Sequence, residues 1–128
     1  MKKKSYKSFE ELDCWKACRD VRKFIYELVK KFPSDEKYGL VQDMRRAARS
    51  TTHNIAEGFG RFHYQENIQF CRQSRGSLYE LIDHFDVAVE CEYLDDDEAE
   101  KQIQEIKIAI RVLNGYIKYL KNRKEIDK

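Results

Sequence analysis

One proline, Pro33, and five glycines punctuate the 128 residues. So few breakers exclude an all-β fold of many short strands, which needs frequent turn signals. No apolar run approaches the ~20 residues that a membrane-spanning helix requires, and the basic start at Lys2, Lys3 and Lys4 does not lead into the apolar stretch of a signal peptide. The signals of catalysis are equally thin. Gly58-Phe-Gly60 follows no strand and precedes no Gly-Lys-Ser/Thr, so it is not a phosphate loop. Cys14 and Cys18 lie four apart on one helical face, half of a zinc site at most, and no second Cys-x-x-Cys or His-x-x-x-His pair accompanies them. A di-iron bundle needs Glu-x-x-His on two helices. The nearest approach is Glu80 with His84 and Asp83, without a second copy. Nothing in the sequence orients a histidine toward Cys71 as a nucleophile would need. These absences imply no metal, no cofactor and no enzymatic activity.

What is present is 41% hydrophobic and 38% charged residues, the mixture of amphipathic helices with solvated outer faces. The length suits one domain. A basic N-terminus at 1–7, a helical domain at 8–124 and a short tail at 125–128 are expected. Ser8-Phe-Glu-Glu11 fits a capping box opening a first helix that runs to about residue 32. Within it Cys14, Cys18, Val21, Ile25, Leu28 and Phe32 step by 4, 3, 4, 3, 4, the spacing of a bundle seam. Pro33 ends it. Ser34 or Asp35 can cap a second helix with Leu40, Met44, Ala47, Ala48, Thr51 and Ile55 on its buried face, closed by the glycines at 58 and 60. A third helix covers roughly 63–93 on the stripe Ile68, Cys71, Ser74, Leu78, Leu81, Phe85 and Ala88. Asp95, Asp96 and Asp97 supply an N-cap to a fourth, which runs to about residue 124. Its Ile103, Ile106, Ile110, Leu113, Ile117 and Leu120 form the cleanest heptad in the chain. Four helices with short connections predict an all-α fold, an antiparallel up-down-up-down four-helix bundle. The four cysteines all fall in helical apolar patterns and are expected to be reduced, packed thiols of a soluble cytoplasmic protein.

The stretch 45–81 organises the rest. Small residues at helical spacing let two backbones approach closely, and Gly58 and Gly60 are expected to supply the permissive dihedrals of the turn between helices two and three. Charge is segregated along the chain. Residues 1–75 carry 17 Lys/Arg and 10 Asp/Glu, residues 76–106 carry 1 and 11, and residues 107–128 carry 7 and 2. The total of +2 therefore hides a dipolar chain. Arg45, Arg46 and Arg49 are placed on the outer face of helix two, Arg61 follows the turn, and Arg72 and Arg75 lie in helix three, so that an antiparallel pair could gather them at one end of the bundle. Arginine's planar fork suits phosphate, and Phe59, Phe62 and Tyr64 nearby can stack on unpaired bases. The competing reading is that these arginines pair with Asp43, Glu57 and Glu66, or with the acidic part of helix three in a neighbouring subunit. Charge segregation also suits a heterologous contact that closes into a ring.

Seven motifs give the chain a resemblance. They are Phe9-Glu-Glu-Leu-Asp-Cys-Trp-Lys16, Phe32-Pro33, Glu36-Lys-Tyr-Gly-Leu40, Arg45-Arg-Ala-Ala-Arg-Ser50, Asn54-Ile-Ala-Glu-Gly58, Gly76-Ser-Leu-Tyr-Glu-Leu81 and Leu113-Asn-Gly-Tyr-Ile-Lys118. Together they resemble the bacterial four-helix-bundle family of 23S rRNA intervening-sequence proteins, from about residue 9 to 121. The resemblance implies a helical homo-oligomer, commonly a pentameric ring. The fold is shared with accessory variability proteins of diversity-generating retroelements, which associate with RNA and a reverse transcriptase, so structured RNA and a reverse transcriptase or other protein are the candidate partners that the resemblance suggests. It implies no catalytic residues. Asn54, Glu57, Gly58, Gly76 and Ser77 match the motif positions and are read as making the junction of helices two and three. One departure is clear: where the family often has Ser-Ile-Pro, this chain has Ser50-Thr51-Thr52. Without the proline, helix two is expected to run straighter and keep a backbone hydrogen bond.

Overall fold

The computed structural model describes residues 6–127. Of the expected basic N-terminus and C-terminal tail, residues 1–5 and 128 lie outside them. Among the described residues the chain is all-α, with four helices and no strand: α1 (Asp13–Leu28), α2 (Leu40–Phe59), α3 (Tyr64–Glu90) and α4 (Asp96–Ile126). The seams read from the sequence meet in one core. Cys18, Ile25, Met44, Ile55, Leu78 and Phe85 are wholly withdrawn from water there, as are Ile106 and Leu113. Each such aliphatic or aromatic side chain contributes about 1.5–3 kcal/mol relative to exposure.

α2 packs on α1 and α3, and α4 packs on α3 and α1. Cross-helix hydrogen bonds set the register. Thr52 and Arg49 of α2 meet Arg22 and Tyr26 of α1, while Ser50 and Thr51 meet Ser77 and Ser74 of α3. On α4, Asn114, Tyr116 and Lys124 meet Arg75, Asn67 and Gln65 of α3. In every pair the numbers fall on one helix as they rise on the other.

The helix ends depart from the simplest capping rules. The first helix is broken into a 3-10 turn at Phe9–Glu11, α1, and a second 3-10 turn at Val29–Lys31. Ser8 accepts from the Glu10 amide at 3.2 Å and no capping box with Glu11 forms. Ser34 and Asp35 do not cap α2; they belong to a 3-10 turn, Ser34–Glu36. The Glu36 carboxylate takes over instead, accepting from the Leu40 amide at 3.1 Å. It also accepts from the Tyr93 hydroxyl at 2.6 Å. These two bonds hold the Glu36 carboxyl below its ordinary value of 4.5, the tyrosine being the larger cause. At the start of α4 Asp95 caps as expected, accepting from the Glu98 amide at 2.8 Å, and the helix continues to Ile126.

The glycines of the α2–α3 turn act differently from expectation. No glycine has positive φ, and Gly60 ends α2 in a right-handed conformation. Gly58 serves close approach: a β-carbon there would stand 2.7 Å from Asn67 Oδ1, 2.9 Å from Phe70 Cβ and 3.1 Å from the Asn67 carbonyl oxygen. The left-handed residue is Glu92, with φ 63°, just past α3. The Glu92 amide bonds the Val89 carbonyl and the Tyr93 amide bonds the Ala88 carbonyl, both at 2.9 Å, which closes the helix as a Schellman motif. α2 itself is continuous through Thr51 and Thr52, whose hydroxyls donate to the Ala48 and Arg49 carbonyls.

Candidate nucleic-acid interface

The six arginines singled out in the sequence do not share one end of the bundle. They divide across the α2–α3 seam, because flanking positions on a helix rotate to opposite sides of the small residues that make the contact. Arg45 and Arg49 turn toward α1, and Arg72 and Arg75 turn toward α4. Two of the six are neutralised locally. Arg46 pairs with Asp43 at 3.3 Å, and Arg61 lies 3.6 Å from Glu57 and 3.8 Å from Glu66, its guanidinium over the Phe70 ring.

On the α1 side Arg22 and Arg49 are held by neutral groups, whereas Arg19 pairs with the Asp20 carboxylate at 3.4 Å. Arg22 Nη1 donates to the Thr52 hydroxyl at 2.9 Å, and Arg49 Nη1 donates to the Tyr26 hydroxyl at 2.8 Å. Arg45 is not on an outer face as expected. It is half-buried between α1 and α2 with its guanidinium 5.5 Å from the Tyr26 ring centre, and among the described residues its Nε, shielded from water, has no partner. Arg22 and Arg49 with Lys23, Tyr26 and Glu27 line a groove of about 660 Å³. The carboxylate of Glu27 bonds Lys30 at 3.0 Å rather than an arginine of the groove. Further along α1, Arg19 and Arg22 stand 5.5 and 6.0 Å from the Trp15 ring centre. Hydroxyls and ring faces orient a guanidinium without cancelling its charge, so among the described residues Arg22 and Arg49 present aimed donors without an ion-pair partner to an anion in this groove.

Arg22, Tyr26 and Trp15 did not figure among the sequence candidates. A signal for them exists: Trp15, Arg19, Arg22 and Tyr26 step by 4, 3, 4, a second stripe beside the apolar seam of α1. On the α4 side Arg75 Nη1 donates to Asn114 Oδ1 at 2.8 Å, and Arg72 lines a cleft with Lys121 and Lys124.

The motif residues sort by role. Asn54 Nδ2 donates to the Ser50 carbonyl and hydroxyl, both at 2.9 Å, and the Ser77 hydroxyl donates to the Ser50 hydroxyl at 2.8 Å. With Gly58 these residues clamp α2 to α3. Glu57 pairs locally with Arg61. Gly76 is exposed, with nothing within 4 Å of a β-carbon placed on it, so it takes no part in the junction.

Among the described residues no three His, Cys, Asp or Glu side chains gather as metal ligands. Cys14, Cys18 and Cys71 are buried free thiols, whereas Cys91 is exposed, unlike the packed position expected of it. Burial pushes the Cys18 thiol up to about 11 and that of Cys71 to about 12, the opposite of what a metal-bound or nucleophilic thiolate requires. His84 Nε2 bonds Glu80 at 3.0 Å as an isolated pair. Among the described residues no helix is long and apolar enough to cross a membrane. The family model described as 23S rRNA-intervening sequence protein matches residues 10–115. No curated protein matches the chain.

Proposed function

The chain belongs to the 23S rRNA-intervening sequence protein family, and from that premise we propose that it is a non-enzymatic, oligomeric, cytoplasmic bundle that binds structured RNA or a ribonucleoprotein through the α1–α2 groove. An up-down-up-down arrangement of the helices goes with this reading, supported by the opposed register of their hydrogen bonds. The observation that carries the reading is the set Arg22, Arg45 and Arg49. Their guanidiniums are held against Thr52 and Tyr26 and, among the described residues, pair with no carboxylate. Fixed guanidiniums without counter-charge suit the phosphates of a folded RNA, which arrive at set spacings.

The test is binding of a folded RNA hairpin across a salt series. Log affinity should fall steeply with log salt, and replacing Arg22, Arg45 and Arg49 by Ala should flatten that slope by about 2–3, roughly one for each phosphate that is no longer neutralised. A triple variant with the affinity and slope of the parent chain would remove the groove from RNA binding.

A second reading rests on the charge segregation: eleven acidic residues and one basic residue in 76–106 against the basic remainder. On it the chain is a protein-interaction scaffold, such as an accessory subunit of a reverse transcriptase, and its charges serve assembly of a homo-oligomeric ring. Retention of a protein partner after nuclease and high-salt washing, with no RNA retained, is the outcome that selects this reading.

A further inference from the structure

A second feature lies where α3 begins and α4 ends, away from the α1–α2 groove. Phe59, Phe62, Tyr64, Tyr116 and Tyr119 line a hollow of about 250 Å³ there. Phe62 is 97% exposed, an unusual setting for so large an apolar ring. The tyrosines are held in place. Tyr64 donates its hydroxyl to Asp127 at 2.7 Å, Tyr116 accepts from Asn67 Nδ2 at 3.2 Å, and the Tyr116 and Tyr119 rings are stacked with centres 6.0 Å apart. Arg61, on the rim, is spoken for by Glu57 and Glu66. The hollow is therefore aromatic and close to neutral, with a volume suited to one planar heterocycle and smaller than the ~300 Å³ at which drug-sized pockets begin.

Beside it runs a cleft of different chemistry, about 350 Å³ in volume, lined by Ile68, Arg72, Lys121 and Lys124. Lys124 donates to the neutral Gln65 amide oxygen at 2.6 Å, and among the described residues lining this cleft Glu125 carries the only negative charge. Consecutive residues line the two, Tyr64 and Gln65 on α3 and Leu120 and Lys121 on α4, so the neutral hollow and the basic cleft adjoin.

We propose that this end of the bundle is a stacking site for one unpaired base of an RNA strand whose phosphates follow Arg72, Lys121 and Lys124. A ring platform that takes any base by its π-face, next to a cationic track, is the division of labour used to hold single strands. A protein segment would find a hollow too small for a helix and a rim that is cationic on one side only. The proposal deepens the RNA-binding reading above and rests on it.

The experiment compares a single-stranded RNA 12-mer with the same sequence as a blunt duplex. Phe62→Ala should weaken the single strand by about 10-fold, the scale of one base stack, and leave the duplex unchanged, because paired bases are not offered to the ring. Phe62→Trp should restore binding. The exposure of Phe62 keeps the fold out of the comparison. Alanine at Arg22, Arg45 and Arg49 should weaken both forms. If Phe62→Ala binds the single strand as the parent does, the stacking site is overturned, the RNA reading stands, and Phe62 is left to a protein partner. Equal weakening of both forms also overturns it. If the parent chain binds neither RNA, both readings fall together.

Discussion

Alanine at Gly58 forces movement of α3. The Asn67 amide can turn aside, but Phe70 Cβ and the Asn67 carbonyl oxygen move only with their helix. Gly58→Ala is expected to lower stability by about 1–3 kcal/mol, as over-packing does, read from the urea midpoint. Gly76→Ala meets open space and should raise stability by about 1 kcal/mol through helix propensity alone. Glu92 sits at φ 63° where a side chain is crowded, so Glu92→Gly should gain about 1 kcal/mol on the same assay. The thiols divide just as sharply. At pH 8 a thiol reagent should label Cys91 at once and reach Cys14, Cys18 and Cys71 only on unfolding, because burial both shields them and suppresses their thiolates.

At the level of the helix, Glu36 joins three elements: its own 3-10 turn, the first amide of α2 and Tyr93 beyond α3. A carboxyl held below its ordinary value adds stability that is complete above that value and is lost as pH falls through the folded one. The Tyr93 hydroxyl is pushed up by the same bond, so its share is lost only in alkali. Glu36→Gln should therefore melt below the parent chain at pH 7, and the two melting temperatures should converge in acid, where the parent carboxyl is protonated too. The apolar seams were legible in the sequence because a 3–4 periodicity records which face is buried whatever lies opposite. The caps were not, because Ser8, Ser34 and Asp35 are all acceptable caps locally and the choice of Glu36 depends on Tyr93, which lies 57 positions away. The arginines were legible as cations and illegible as a site for the same reason. Whether Arg49 meets Tyr26 or Arg75 meets Asn114 is decided by packing across helices, not by spacing along one.

Across the whole molecule, the connection from α2 to α3 is the shortest of the three, residues 60–63, while α1 and α4 meet from opposite ends of the chain. That difference has a kinetic consequence. Closing a short loop costs little chain entropy, and the interface it brings together is already clamped by Ser50, Ser74 and Ser77. The α2–α3 hairpin is therefore expected to form in the rate-limiting step of folding, with α1 docking afterward. Ser77→Ala should then slow refolding in stopped-flow measurements, whereas Val21→Ala on α1 should leave the refolding rate nearly unchanged and speed unfolding. The pair of glycine and serine motifs that marks this chain in sequence would thus mark the point at which its folding begins.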